Sequence, residues 1–344
     1  MRILVAGGAG FIGSNFIRHV ISHDSKAKVL NYDKLTYSGN LDNLRDIEKN
    51  KNYLFVHGDI TDDKKLKQTV LKFKSDFVIN FAAETHVDRS IHVGAKEFID
   101  TNVMGVFNIL EIVKANTFIK NYVQVSTDEV YGSMPLRSKK LFTETTSFAP
   151  NIPYSATKAG GDMLCRAYFQ TFKVPVIVTH ASNNYGSYQY PEKLIPFFVT
   201  QAIEGKPLPL YGNGKNVRDW LHVLDHCEAL RLVLLKGKPG EVYNIGADNE
   251  RSNVEIAQRI LARFKDSGSK IVFVADRPGH DLRYAIDASK IRRELGWRPK
   301  YSFLPALDET ITWYMENPKW IKRVRERTGV FNPHIDLWKG HKIK

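Results

Sequence analysis

The sequence predicts an α/β protein, a doubly wound parallel sheet followed by a smaller, mixed α/β C-terminal lobe. Three observations carry this. In the first half, short apolar runs alternate with longer helical patterns. The runs are continuously apolar, as strands must be when helices cover both faces of a parallel sheet. After His180 the texture changes to Pro, Gly, Asn and Tyr, as in "NNYGSYQYPEKLIP" and "GKPLPLYGNGKNVRDW", which read as loops and short elements.

The first strand, "RILVAG", runs into Gly7, Gly10 and Gly13 and then into a helical pattern. Glycines at such a strand-to-helix turn let the backbone approach a pyrophosphate seated on the helix N-terminus. The spacing is G-x-x-G-x-x-G. The second strand, "KVLNYD", ends on Asp33, 20 residues after Gly13. An acid there accepts hydrogen bonds from adenosine ribose hydroxyls and repels a 2′-phosphate, which favours NAD over NADP. A tight turn beside a solvated Asp is the alternative; strand, glycines and acid together point instead to a Rossmann-type domain. "YLFVHGD", "FVINFAA", "YVQVST" and "VPVIVTH" supply four more strands.

Two further clusters follow. "STDEVYG" places Asp128 and Glu129 side by side where the fifth strand ends. Neighbouring strand side chains point to opposite faces, so both acids reach one ligand only if the backbone has left the strand. The pair is therefore expected on the loop past the strand's carboxyl end, where open α/β sheets bind ligands. Ser126-x-x-Glu129 also matches a helix capping box, but Gly132 and Pro135 come too soon for a helix of useful length. In "PYSATKAGG", Tyr154 and Lys158 are four apart and share one helix face. A neighbouring ammonium stabilises a phenolate and makes tyrosine a usable base. Downstream of a dinucleotide motif, the pair suggests alcohol oxidation, with Tyr154 taking the hydroxyl proton as hydride leaves the same carbon.

The 344 residues exceed the roughly 100 to 200 of an ordinary domain. The expected division is a dinucleotide-binding domain over 1–180, with 217–247 returning to it, a substrate-binding lobe over 181–330 and a basic tail over 331–344. The composition, 43% hydrophobic and 25% charged, argues against disorder. A net charge of +13 raises the question of nucleic acid, but Lys319 to Lys344 alone holds eight Lys or Arg against two acids. Of the excess, +6 sits in these last 26 residues, concentrated there rather than interleaved with aromatics, so no nucleic-acid partner is expected. Cys165 and Cys227 have no C-x-x-C spacing, which indicates neither disulfide framework nor metal site. The N-terminus enters a strand directly and no apolar run approaches about 20 residues, so neither a secretory signal nor a membrane partner is expected and a cytoplasmic location is.

With these motifs the chain resembles the extended short-chain dehydrogenase/reductase superfamily. "FAAETHVDRS", "STDEVYG", "PYSATKAGGDML", "SNNYGSYQYPEKLIP", "PLPLYGNGKNVRDWLHV" and "RPGHDLRYAID" make it similar to the dTDP-glucose 4,6-dehydratase family within it, from about Met1 to Asn317. The resemblance implies a hydro-lyase with tightly bound NAD: oxidation at C4 of the glucose ring, loss of water across C5 and C6, and hydride return to C6. The product would be dTDP-4-keto-6-deoxy-glucose, for deoxysugars such as rhamnose. It implies Glu129 as the base at C5, protonated Asp128 as the acid at the C6 oxygen, and Thr127 on the C4 oxygen beside Tyr154.

The same resemblance places Phe11, Ile12, Asp59, Ile60, Ala82, Ala83, Thr101 and Asn184 at NAD contacts, with the glycines, Asp33, Tyr154 and Lys158. It places Thr85, Asn183, Lys193, Leu194 and Pro209 at nucleotide-sugar contacts, together with Leu210, Tyr211, Arg218, Asn253 and His280. It also implies a homodimer joined by a helix bundle. Arg218 has an independent reason, as a bidentate clamp for a diphosphate, although Asp219 could tie it up instead. His86 and His222 lack ligand spacing and read as structural. Leu282 stands where a second basic residue is expected before Arg283, and Thr85 where the family commonly has Ser. A nucleotide-sugar 4-epimerase would share the fold but needs no acid pair. A decarboxylase would want another basic contact, and an RNA-binding relative would not need Tyr154, Lys158 and both acids.

Overall fold

The computed structural model describes residues 1–328, so the tail assigned to 331–344 lies outside the described residues. The six apolar runs form β1 (Arg2–Ala6), β2 (Lys28–Asp33), β3 (Tyr53–His57), β4 (Phe77–Asn80), β5 (Asn121–Thr127) and β6 (Val176–Ala181). The later strands are β7 (Asn183–Tyr185), β8 (Leu208–Tyr211), β9 (Val217–His222), β10 (Val242–Ile245), β11 (Glu250–Ser252) and β12 (Ile271–Val274). The main sheet has the order β10-β6-β5-β4-β1-β2-β3 with every pair parallel.

Its helical layers follow from the strand alternation. Ile3 and Val5 of β1 enter one core, and Leu4 and Ala6 the other. In chain order the helices are α1 (Phe11–His23), α2 (Asp63–Phe73), α3 (Val87–His92), α4 (Lys96–Ile99), α5 (Val106–Lys114) and α6 (Pro153–Phe172). Then come α7 (Leu194–Ile203), α8 (Val223–Lys236), α9 (Asn253–Leu261), α10 (Ser289–Leu295), α11 (Phe303–Glu316) and α12 (Pro318–Thr328). Side chains of α1, α8 and α10 fill the first core; those of α2, α5 and α6 fill the second. Of residues 217–247, α8 and β10 join these layers, whereas β9 pairs with β7 and β11 in a three-stranded sheet. The lobe has its own core, built from α7, α9, α11, α12 and β8.

Two features position the site. The chain leaves β1 towards β2 on one side, and β4 lies on the other, which opens a crevice at the carboxyl ends of the strands. Between α4 and α5, Asp100–Gly105 is a π-helical segment. It presents Asn102, whose amide exchanges hydrogen bonds with both backbone groups of Glu84 and donates to Thr157 Oγ1 at 3.0 Å. A Cβ on Gly161 would lie 2.6 Å from the Asn102 carbonyl, so α6 packs backbone to backbone on this segment. Cys165 and Cys227 are buried free thiols. Among the described residues, no helix is long and apolar enough to cross a membrane.

Candidate active site

The three glycines have different tasks. Gly7 sits at φ +74, and a Cβ there would meet the Ala82 nitrogen at 2.4 Å; a Cβ on Gly13 would meet the Gly7 carbonyl oxygen at 2.4 Å. Both are required by packing. Gly10 caps α1 without a side-chain bond, and its Cβ would meet only the Gly7 oxygen, at 3.4 Å. Its missing side chain leaves room for a ligand, on the wall of both cavities at the sheet's carboxyl edge.

The smaller cavity is lined by Asp33, Asp59, Ile60, Ala82, Ala83 and Thr101 with Gly7 and Gly10. Asp33 accepts from Ala9 N at 2.8 Å and Leu35 N at 2.7 Å, and burial raises its pKa. Burial opposes ionisation of Asp59 as well, but Lys34 at 2.7 Å and the Thr61 amide hold its carboxyl below the usual range. A buried acid at the end of β2 and a glycine turn open towards it fit the adenosine half of a dinucleotide.

The larger cavity, about 260 Å³, joins the glycine turn to the reactive groups. Gly10, Phe11, Ile12 and Gly13 line one side; Thr127, Glu129, Tyr154 and Lys158 line another. Ala83, Thr85, Asn183, Asn184 and Lys193 complete the expected residues in its wall. Pro153 starts α6 and places Tyr154 and Lys158 one turn apart, both buried. Lys158 Nζ donates to the Val125 carbonyl at 2.8 Å.

The electrostatics of Tyr154 differ from the expectation of an ammonium-stabilised phenolate. Burial, then the neighbouring Glu129, push the phenol well above its ordinary pKa; only the Thr127 hydroxyl's hydrogen bond pulls it down. Burial also lowers the pKa of Lys158. The protein alone therefore keeps Tyr154 protonated.

The acid pair has left the strand. Thr127 ends β5, and its hydroxyl caps the 3-10 turn Asp128–Tyr131 by accepting from Glu129 N at 3.3 Å. Capping thus falls on Thr127, one residue after the Ser126 of the sequence pattern. Ser126 instead donates to Asp162 at 2.6 Å. The turn stops at Gly132, φ +86, where a Cβ would lie 2.3 Å from the Ala149 carbonyl oxygen.

Adjacent in sequence, the two acids are both raised above the usual carboxylate range, Asp128 well above it, in unlike surroundings. Asp128 is buried, and burial together with Glu129 and Asp219 drives its pKa well up, with Arg218 opposing. Burial raises Glu129 too, but Arg277, Arg218 and Lys193 all oppose it. Among the described residues neither Asp128 Oδ2 nor Glu129 Oε2 has a hydrogen-bond partner. Glu129 lies in the wall of the larger cavity and Asp128 does not.

Leu194, Pro209, Leu210, Tyr211, Arg218, Asn253 and His280 line neither cavity. Several cluster beside them. Arg218 donates to the carbonyls of Val217 at 2.8 Å and Asp281 at 3.0 Å, and its guanidinium lies 4.2 Å over the Tyr284 ring. Asp219 does not tie it up; that carboxylate accepts from Ala247 N at 2.8 Å and Asn249 N at 2.6 Å. The rings of His280 and Tyr211 are 6.0 Å apart, and burial with Arg277 and Arg218 lowers His280 to about 3. Pro209, Leu210 and Tyr211 come from β8, and Asn253 opens α9 with its amide on the Asn216 carbonyl. Leu194 opens α7 after Lys193, whose ammonium donates to the Thr85 carbonyl at 2.8 Å.

Leu282 is exposed and supplies no charge. A cation that sequence reasoning passed over, Arg277, faces Glu129, and its Nε is buried without a partner among the described residues. It stands in "RPGHDLRYAID", so the motif contained the signal. His226, also missed, lines the larger cavity and bonds Asn184 Oδ1 at 2.9 Å. His86 lies 3.4 Å from Glu192, and His222 stacks on Tyr301 at 4.0 Å.

This geometry defines a class: a dinucleotide-binding α/β protein with a Tyr–Lys pair and a carboxylate pair at the end of one crevice. Residues 4–310 match the family model described as GDP-mannose 4,6 dehydratase. The chain is 49% identical over 338 residues to the dTDP-glucose 4,6-dehydratase of Xanthomonas campestris, covering 93% of this chain and 95% of the relative. Among solved structures, the Bacillus anthracis dTDP-glucose 4,6-dehydratase in complex with NAD is 51% identical with a TM-score of 0.87, covering 94% and 99% of the two chains. The Streptomyces venezuelae enzyme of that name, also with NAD bound, is 45% identical with a TM-score of 0.89, covering 94% and 100%. The chain belongs to the dTDP-glucose 4,6-dehydratase family.

Proposed function

We propose that this protein is an NAD-dependent hydro-lyase that converts dTDP-glucose to dTDP-4-keto-6-deoxy-glucose and water. The observation that carries this beyond the family name is the unlike environment of two adjacent acids, Glu129 in the wall of the crevice that holds Tyr154 and Lys158 and faced by more cations, Asp128 outside that wall and raised further. Bound NAD, which Gly7, Gly10 and Asp33 would hold, would supply the acceptor for the C4 hydride and the donor of hydride to C6. Tyr154 accepts the C4 hydroxyl proton only as its phenolate, whose cost Lys158, one turn away, must offset; the proton Tyr154 gains balances the one Asp128 gives up, so the cycle closes when that proton is passed back. A ketone at C4 acidifies the C5 proton, which ionised Glu129 removes. Asp128, kept protonated, gives its proton to the C6 oxygen, and water leaves. Glu129 then returns the proton to C5 as hydride reaches C6.

Arg218 and Arg277, with His280 and Tyr211 beside them, are the groups proposed for the diphosphate and nucleoside end. A 4-epimerase is disfavoured because it has no use for a protonated and an ionised carboxylate at one site. We further propose a homodimer, in keeping with exposed Ile99, Met104, Met163 and Phe172 on the packed segments from α4 to α6. A cytoplasmic location agrees with two unpaired, buried thiols. The test is direct: protein given dTDP-glucose without added reductant yields a keto-deoxy sugar with no NADH accumulating. NADH build-up or a galactose product would overturn the reading.

A further inference from the structure

The helix α12 belongs to the core of the lobe, where Trp320, Ile321 and Val324 are buried. It also carries arginines of the basic stretch that begins at Lys319, and these reach the other domain. Arg327 Nη2 donates to the carbonyls of Thr36 at 2.8 Å and Leu35 at 3.4 Å, and to that of Gly39. Arg323 pairs with Asp42. The Trp320 indole donates to Asn43 Oδ1 at 2.9 Å, and the Asn43 amide donates to the Ala9 carbonyl at 3.0 Å, inside the glycine turn. The Asn40 amide reaches the same carbonyl at 2.9 Å.

The segment so gripped is a wall of the adenosine-side cavity, to which it contributes Lys34, Thr36, Ser38 and Gly39. From within, Asp33 holds it through the Leu35 amide at 2.7 Å. Leu35 adopts φ +56, a conformation that persists in a leucine only when its surroundings enforce it. A guanidinium offers five donors in a fixed fork, so one side chain can satisfy several loop carbonyls together. Arg327 is also close enough to Asp33 to favour that carboxylate's charged form.

We propose that α12 is a cofactor clasp: Arg327 and Trp320 are positioning residues that hold residues 34–43 against the glycine turn and so set how slowly NAD leaves. The proposed reaction returns its hydride to the sugar, so NAD has no need to exchange between turnovers. A clasp supplied by the substrate lobe suits that economy and gives the basic stretch an intramolecular purpose. The inference rests on the NAD reading of the cavity.

The test uses holoenzyme: wild type, Arg327→Ala, Arg327→Lys and Trp320→Phe, each loaded with NAD. Release is followed by adsorbing free nucleotide on charcoal and measuring what stays bound. Thermal melting of each NAD-stripped protein reports on the fold. Arg327→Ala is expected to release NAD about tenfold faster, as loss of a charged hydrogen-bond donor implies. Arg327→Lys falls between, because it keeps the charge on a shorter side chain and loses the second arm of the fork, which reaches Asn40 Oδ1 at 3.5 Å, and Trp320→Phe, which keeps a ring but loses the N–H, releases NAD a few-fold faster. The NAD concentration for half-maximal activity rises in step, with kcat at saturating NAD within about twofold. Unchanged release in Arg327→Ala and Trp320→Phe overturns the clasp, and so does a kcat loss that NAD fails to restore. If Arg327→Ala does not fold, Trp320→Phe decides alone on the same readout. Wild type that retains no NAD overturns the cofactor reading and the clasp with it.

Discussion

The hydroxyl of Thr127 accepts a hydrogen bond from the Glu129 amide at 3.3 Å, so the last residue of β5 holds the turn that carries both acids. Thr127 also pulls the pKa of the Tyr154 phenol down, so one residue acts on both the tyrosine and the turn that carries the acids. The division of labour between Asp128 and Glu129 then follows from what surrounds each carboxyl.

Glu129→Gln keeps the shape of the turn and removes the base. Oxidation at C4 should persist as a transient NADH signal, while solvent deuterium no longer enters C5. Mass spectrometry of recovered sugar checks this; surviving exchange would assign the base elsewhere.

Asp128→Asn should stabilise the fold and abolish dehydration. Burial lifts the folded pKa of Asp128 above its unfolded value of about 4, so its favourable contribution is present below that pH and is lost as pH rises through the folded value. The variant is expected to be more stable than wild type at pH ~7, with the gap closing towards pH ~4, and to lose about a hundredfold or more in turnover. Calorimetry across that range decides, and a gap independent of pH contradicts the assignment.

Arg277→Ala removes the first of the cations that oppose the rise at Glu129. The acidic limb of C5 exchange should move to higher pH, because the base must lose its proton against a larger penalty. A limb that stays in place would remove Arg277 from the electrostatics of the base.

Gly7→Ala and Gly10→Ala should separate fold from binding. At Gly7 a methyl combines positive φ with contact at 2.4 Å, so the variant loses about 1 to 3 kcal/mol of stability or fails to fold. At Gly10 the backbone is extended, at φ −75 and ψ 179, and a methyl meets only one atom at 3.4 Å, so melting stays near wild type while bound NAD is lost. Melting curves and nucleotide content of the two proteins are the measurement.

Local patterns announced what local physics determines. The continuously apolar runs that became β1, β2, β4, β5 and β6 are buried on both faces, whereas β3 at the sheet edge leaves Leu54 exposed; the turn glycines, Asp33, Tyr154 and Lys158 lie within short segments whose spacing carries their geometry. The short strand β10 was not read as such, because four residues between a helix and a loop carry little periodic signal. His226 and the α12 contacts come from segments far from the motifs they serve, and only tertiary packing brings them there; Arg277 stands inside "RPGHDLRYAID", and what packing adds is its effect on Glu129. The protonated state of Tyr154 was equally hidden, since burial is a property of the whole fold.

Oxidation and elimination are housed on separate pieces of backbone. Tyr154 and Lys158 ride on a helix of 20 residues, whereas Asp128 and Glu129 occupy a turn of four, fenced by a threonine cap and a glycine stop. The two pieces are separate in backbone and joined in electrostatics: Glu129 raises the pKa of the Tyr154 phenol and Thr127 lowers it, so an edit to the end of this one strand also retunes the tyrosine on the helix.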